Sequence, residues 1–349
     1  MSLSRPAGPR PAPRAIARWL LAVAAVVLLM VVVGGITRLT ESGLSMTRWE
    51  PISGTVPPLN DAQWAAEFDA YKATPEYAQV NRGMALAEFK RIFFWEYLHR
   101  LIGRSIGLIF ALPLLWFWWK RAIPAGYGPR LVALLALGGL QGAIGWWMVA
   151  SGLIDRPDVS HFRLATHLLA ALFIFSGLIW TALDLRAGGP PARPTRGAVA
   201  AVAVLAIQII LGAFTAGLDA GFLFNEWPLM GGGLFPAGGW NPVAGLAANL
   251  SSNPIVVQFV HRWFAWAAAA ALAALAWRAR RAAPAAAAGI VALVALQIAL
   301  GVATLLTVVA LPVAVAHQLV ATLLLGAAVA AAHALGHGSG GFAPRAKRY

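Results

Sequence analysis

Four histidines, His99, His167, His261 and His317, each lie just inside the end of a long apolar run. Two of them share a setting. Glu96-Tyr97-Leu98-His99-Arg100 and Gln258-Phe259-Val260-His261-Arg262 both place a polar residue three before the histidine and an arginine one after it. Ionisable groups inside a membrane are costly and default to function. Neutral imidazole is a good axial ligand for haem iron, and one histidine from each of two facing helices can grip a macrocycle between apolar walls. Taken as couples, His99 with His167 and His261 with His317 would hold two such groups. Arg100 and Arg262 would lie where haem propionates want cations, with snorkelling to lipid phosphate as the plainer alternative.

The two settings differ at one position. Three residues before the histidine stands Glu96 in one and Gln258 in the other. Residues i and i+3 of a helix share a face, so Glu96 is expected to point at whatever His99 binds. A carboxylate there can take or give a proton; the amide cannot. The expected division of labour is a resident haem used for electrons at His261/His317, and a group that is chemically changed at His99/His167, with Glu96, His99 and His167 as the catalytic residues. The alternative is that Glu96 only complements a helix N-terminus. Glu96-x-x-His99 also fits part of a di-iron carboxylate site, but no second Glu-x-x-His is present. His161 has no counterpart near His317 and reads as an interface residue; His333 and His337 read as surface residues.

The elements that must position these residues are apolar helices. The chain has 349 residues, of which 60% are hydrophobic, against roughly 45–50% in soluble domains. The apolar residues come in runs of about 20, the length that crosses a bilayer as a helix. Eight spans are expected, near 16–37, 97–119, 130–150, 161–183, 197–217, 254–277, 285–310 and 312–335. There is no cysteine, hence no disulfide, zinc-thiolate site or thiolate haem ligand. The net charge of +14 is not a nucleic-acid signal, because the basic residues fall in short loops on alternate sides of the spans. The basic loops carry Arg5, Arg10, Arg14 and Arg18; Lys120, Arg121 and Arg130; Arg186, Arg193 and Arg196; Arg278, Arg280 and Arg281; and Arg345, Lys347 and Arg348. All but Asp184 of the 13 acids fall on the other side or at its edge. The basic side is therefore expected to be cytoplasmic, with both termini there. The first apolar run is too long for a signal sequence and reads as a retained helix.

The expected architecture is an all-α integral membrane protein made of two repeated four-helix bundles. A tail at 1–15 precedes an N-terminal half at 16–190 with a large outer loop at 39–96. A C-terminal half at 191–335 follows, then a tail at 336–349. In the outer loop Trp64, Phe68 and Tyr71 recur at helical spacing, and Ala85–Arg91 continues a helical pattern, so a partly helical cap is expected. The repeat is read from Gly35-Ile36-Thr37 against Gly212-Ala213-Phe214-Thr215, from Gln141-x-x-x-Gly145 against Gln297-x-x-x-Gly301 with Gln208-x-x-x-Gly212 as a further copy, and from His167-Leu-Leu-Ala against His317-Gln-Leu-Val-Ala. An even number of spans per copy makes the copies parallel. Gly34-Gly35 and the Gln-x-x-x-Gly pairs are expected to permit close helix packing. The Trp-rich runs around Trp116, Trp118, Trp119, Trp146, Trp147, Trp263 and Trp266 are expected mostly in interfacial belts, with a few walling a macrocycle.

These residues together resemble the heme A synthase family in its alphaproteobacterial and mitochondrial form. The stretches that carry the resemblance are Gly34-Gly35-Ile36-Thr37-Arg38-Leu39-Thr40, Ser42-Gly43-Leu44-Ser45-Met46 and Trp49-Glu50-Pro51 through Pro57-Pro58-Leu59. Glu88-Phe89-Lys90, Phe93-Phe94-Trp95-Glu96-Tyr97-Leu98-His99-Arg100 and Phe162-Arg163-Leu164-Ala165-Thr166-His167 complete it with the two later histidines. The likeness implies an oxidoreductase of the bacterial inner membrane that converts the C8 methyl of heme O to a formyl group, giving heme A for cytochrome oxidase. It implies haem b on His261 and His317, heme O on His99 and His167, and Glu96 near the reacting methyl. The cysteine pair that some bacterial members carry in the first outer loop is absent. Heme O synthase is the partner such a substrate implies; the electron acceptor, the oxygen source and any homo-oligomer are left open. The residues alone also fit a di-haem b electron-transfer cytochrome or a haem carrier. The Glu96/Gln258 difference and the large loop over only one copy favour the enzyme.

Overall fold

The computed structural model describes residues 11–50, 53–154 and 157–338. The terminal basic residues Arg5, Arg10, Arg345, Lys347 and Arg348, and Pro51 of the first loop, lie outside them. Among the described residues the chain is helical, with one isolated antiparallel bridge between Met230 and Gly233. Among the described residues eight helices are long and apolar enough to cross a membrane. The chain divides into two compact units, Met1–Arg186 and Ala187–Tyr349.

In the first unit the long helices are α1 (Pro13–Leu39), α4 (Leu86–Trp119), α5 (Gly128–Ala150) and α6 (His161–Ala187), with the short α2 (Asp61–Lys72) and α3 (Pro75–Gln79) in the outer loop. Proline opens α1 and α3, where the missing N–H costs nothing. Asn60 accepts from the Gln63 amide at 2.9 Å while the Gln63 side chain accepts from the Leu59 amide at 2.6 Å, which fixes the start of α2. Thr74 caps α3 through the Tyr77 amide at 3.2 Å.

One boundary differs from the sequence reading. Ala85–Arg91 is not a separate cap helix: from Leu86 it is the first part of α4, continuous with the second span. Nothing between Leu86 and Trp119 stops a helix except Pro113, which is accommodated within it. At 34 residues α4 is about 51 Å long, against a hydrocarbon core of about 30 Å. Its first turns carry part of the outer loop's packing. There Phe89 and Phe93 pack with Phe68, Tyr71 and Met46 into an aromatic core of the loop's own.

At the other end of this unit, Arg130 of α5 and the buried Asp184 of α6 form an ion pair at 2.6 Å. That pairing explains the one acid on the basic side. In addition α6 reaches α5 through side chains, with Arg163 donating to the Trp147 carbonyl at 2.7 Å and Gly177 facing Leu134.

The second unit contains α7 (Arg196–Gly217), the short α8 (Gly245–Ser252), α9 (Pro254–Ala279), α10 (Pro284–Leu306) and α11 (Leu311–Gly338). Asn253 caps α9 by accepting from the Ile255 amide at 3.0 Å, and Pro254 and Pro284 open α9 and α10. Asparagines tie parts of the 218–253 loop together: Asn249 donates to the Asn241 carbonyl at 2.7 Å, and Asn253 to the Gly239 carbonyl at 2.8 Å. His333, expected at the surface, is buried at 5% exposure because α11 turns that face inward, and its ring stacks on the exposed His337. His161 opens α6 with its ring against Phe162. Trp116, Trp118, Trp119, Trp146, Trp147 and Trp266 are exposed, whereas Trp263 is half-buried with its indole nitrogen turned inward.

Candidate functional site

Each of the four histidines is seated against a glycine of the neighbouring long helix. A Cβ on Gly34 of α1 would lie 3.1 Å from Nε2 of His99 on α4. The same construction puts Gly145 of α5 2.9 Å from Cε1 of His167 on α6. In the second unit Gly212 of α7 stands 3.0 Å from Cε1 of His261 on α9, and Gly301 of α10 stands 3.1 Å from Cε1 of His317 on α11. The imidazoles therefore occupy space that any side chain at these positions would take.

Three of the rings are also held by an amide one helical turn before the glycine. Gln141 Nε2 lies 3.1 Å from Nδ1 of His167 and donates to the His167 carbonyl at 2.8 Å. Gln208 Nε2 lies 3.1 Å from Nδ1 of His261 and donates to its carbonyl at 3.0 Å. Gln297 Nε2 lies 3.3 Å from Nε2 of His317. The Gln-x-x-x-Gly spacing noted in the sequence thus does more than permit close packing: it puts an amide and a clearance on one face, both against a histidine. This role was not read from the sequence, although the spacing itself was visible in triplicate.

His99 lies within electrostatic range of His167, and His261 within range of His317. The residues fit a bis-histidine haem. The donor set is two imidazoles per unit on apolar helices. The side-chain oxygens of Gln141, Gln208 and Gln297 are buried with no partner among the described residues, as is Nδ1 of His317. An imidazole that ligates through one nitrogen carries its proton on the other and donates it to a neighbouring oxygen. A turn of each glutamine amide supplies that oxygen.

Glu96 is buried at 3% exposure, and both its oxygens are occupied. One accepts from the Ser45 hydroxyl at 2.7 Å and from the Met46 amide at 2.7 Å; the other pairs with Arg100 at 2.6 Å. Arg100 also donates to the carbonyls of Met46 and Arg48, each at 2.9 Å. One turn further, Arg104 donates to the carbonyls of Glu50 at 2.7 Å and Gly54 at 3.0 Å. The outer loop is thus fastened to α4 by three polar residues on successive turns. Sequence reasoning found two of them, and missed Arg104 and Ser45, whose partners are backbone groups or lie far along the chain.

Gln258 and Arg262 do the same for the second unit with the polarity reversed. Gln258 donates to the Phe224 carbonyl at 3.1 Å. Arg262 donates to the carbonyls of Phe224 at 2.6 Å, Glu226 at 2.9 Å and Leu229 at 3.1 Å. An amide suits this position because its neighbour offers a carbonyl; a carboxylate suits position 96 because its neighbours offer N–H and O–H.

The outer loop of the first unit holds a further buried acid. Glu76 is 4% exposed, beside the fully buried Tyr71, whose hydroxyl accepts from Asn81 at 2.7 Å. Burial pushes the Glu76 carboxyl up to about 8, opposed by Tyr71 and reinforced by the negative charges of Glu96, Glu41 and Asp158.

Residues 17–329 match the family model COX15-CtaA, described as cytochrome oxidase assembly protein. A protein of Rhizorhabdus wittichii named heme A synthase is 62% identical over 339 residues, covering 95% of this chain and 97% of its own. Proteins of the same name from Sphingopyxis alaskensis and Novosphingobium aromaticivorans are 55% and 52% identical, each over at least 94% of both chains.

Proposed function

The chain belongs to the COX15-CtaA family, and from that membership we propose that it is a heme A synthase, oxidising the C8 methyl of heme O to a formyl group. The observation that carries the assignment of sites is the pair of half-buried histidine couples, each ring seated on a glycine of the next helix. His261 and His317, both backed by glutamine, suit a resident haem b. His99 and His167 suit the iron of heme O as substrate.

If the added oxygen comes from water, methyl to formyl releases four protons and four electrons, and the electrons must pass to an oxidant outside the chain. A resident haem b supplies one-electron transfer when bound. The chain's own residues must orient the methyl and move the protons. Glu96 is the one buried carboxylate of α4, a single turn from His99, and Ser45 and Arg100 hold it in place. We assign it the proton transfers, with Ser45 as the neighbouring hydroxyl through which a proton can pass. Arg100 and Arg262, each anchored to its outer loop, form the cationic rim for propionates. The orientation with both termini cytoplasmic, the repeat of two four-helix bundles, the inner-membrane location and a handover from heme O synthase complete the proposal. They rest on the basic loops, the shared motifs and the insolubility of the substrate.

The test is expression in cells that make heme O, followed by pigment extraction. Formyl or hydroxymethyl haem is expected. Two bound haems b with neither product would overturn the enzyme reading in favour of a di-haem cytochrome.

A further inference from the structure

The four histidine seats are not equal. Counting one turn back from the glycine gives Gln141, Gln208 and Gln297 at three of them, each with its amide on the ring. At the fourth, one turn back from Gly34, stands Met30. Met30 takes the place that Gln208 takes beside His261, with Gly34 matching Gly212 and Thr37 matching Thr215. Its methyl would lie 3.3 Å from a Cβ on Gly103, one turn beyond His99, so the side chain lies along the histidine's own helix. It offers a thioether where the other seats offer an amide. Among the described residues no side chain hydrogen-bonds the His99 ring.

A hydrogen bond to the outer nitrogen of a metal-bound imidazole fixes the ring and raises its basicity, and losing that partner typically weakens the metal bond by 10–100-fold. A flexible apolar methionine fills the same space without holding the ring. We propose that Met30 is a positioning residue that leaves His99 the one unanchored axial ligand. The first unit would then hold its haem between an anchored His167 and a yielding His99, while the second holds its haem between two anchored rings. A site that must admit heme O and release heme A needs such a ligand; a site that keeps haem b does not. This inference rests on the assignment of substrate to His99/His167 and adds to it which bond opens.

The experiment uses the full-length protein purified from cells making heme O, mixed with excess apomyoglobin as haem acceptor, with transfer followed optically. Wild type is expected to lose heme O and heme A in a fast phase and haem b in a slow one. Met30→Gln is expected to slow the fast phase about tenfold and leave the slow phase unchanged. Gln208→Met is expected to speed the slow phase about tenfold. Met30→Leu, which supplies no amide, should stay with wild type. The proposal is overturned if Met30→Gln leaves the fast phase within about twofold of wild type, or if Gln208→Met leaves haem b release unmoved; should Met30→Gln fail to fold, the Gln208 variant decides alone. A wild-type protein that binds no heme O at all would remove the underlying site assignment instead, a result plainly different from two haems that leave at unaltered rates.

Discussion

Glycine and histidine at these seats act as one unit. At Gly212 a methyl group would meet the His261 ring at 3.0 Å, so the ring or the helix must shift. Overpacking of this kind costs about 1–3 kcal/mol. Gly212→Ala is therefore expected to fold but to purify with several-fold less haem b, as read from the reduced pyridine spectrum; Gly138→Ala, at a position with open space around it, should retain a full complement. At Glu96 the expectation is of another kind. Glu96→Gln keeps an oxygen for Ser45 and Met46 and loses the charge that pairs Arg100, a change of about 1–3 kcal/mol in stability. Haem b should remain while conversion falls by at least 10²-fold, the usual scale of a lost acid–base group. Loss of haem b from this variant would contradict the role assigned to Glu96. The histidines and Glu96 were legible in the sequence because a titratable group inside an apolar run has few reasons to be there. What the i, i+3 rule did not show is that Arg100, one turn on, claims the carboxylate, and that Ser45 arrives from the loop. Pairings of that kind depend on how a 46-residue connection between α1 and α4 folds back, which local spacing does not encode.

Among the elements, α4 joins loop and membrane. Its boundary was misplaced by eleven residues because the transition from apolar to mixed composition near Glu96 reads as a helix start, whereas the backbone carries no breaker there. The cap over the first unit was legible as helical from Trp64, Phe68 and Tyr71, but its fastening was not. Arg104→Ala removes two carbonyl hydrogen bonds at Glu50 and Gly54. Limited trypsinolysis at Arg48 should then run several-fold faster than in wild type; an unchanged rate would show that Arg100 alone secures the loop. The buried Glu76 gives the cap a pH dependence. Its folded pKa, about 8, lies above its ordinary 4.5, so the folded form holds the proton more tightly than the unfolded form. Cap stability is greatest below about pH 4.5, falls as pH rises through the window up to about 8, and levels off above it. Glu76→Gln should flatten this profile and make the cap more stable than wild type at pH 8, measured as protease resistance across pH 5–9.

For the whole molecule, the eight spans were legible with boundaries mostly within a few residues, since bilayer thickness fixes run length and Pro, Asn and Thr mark the ends. The proposed orientation can be checked simply, because the natural chain has no cysteine. A single cysteine at Leu59, exposed in the outer loop, should react with an impermeant maleimide in intact cells, and one at Lys120 should react only after lysis. The opposite pattern would invert the topology and separate the histidines from the outer surface.

The claim on which the account turns is that the imidazoles work in two couples, each within one unit. The most direct measurement replaces each of the four histidines with alanine and counts the haems per purified chain by type. The account predicts that His261→Ala and His317→Ala share one deficit, the loss of haem b, while His99→Ala and His167→Ala keep haem b and lose heme O. A deficit shared instead by His99 and His261, or by His167 and His317, would contradict it.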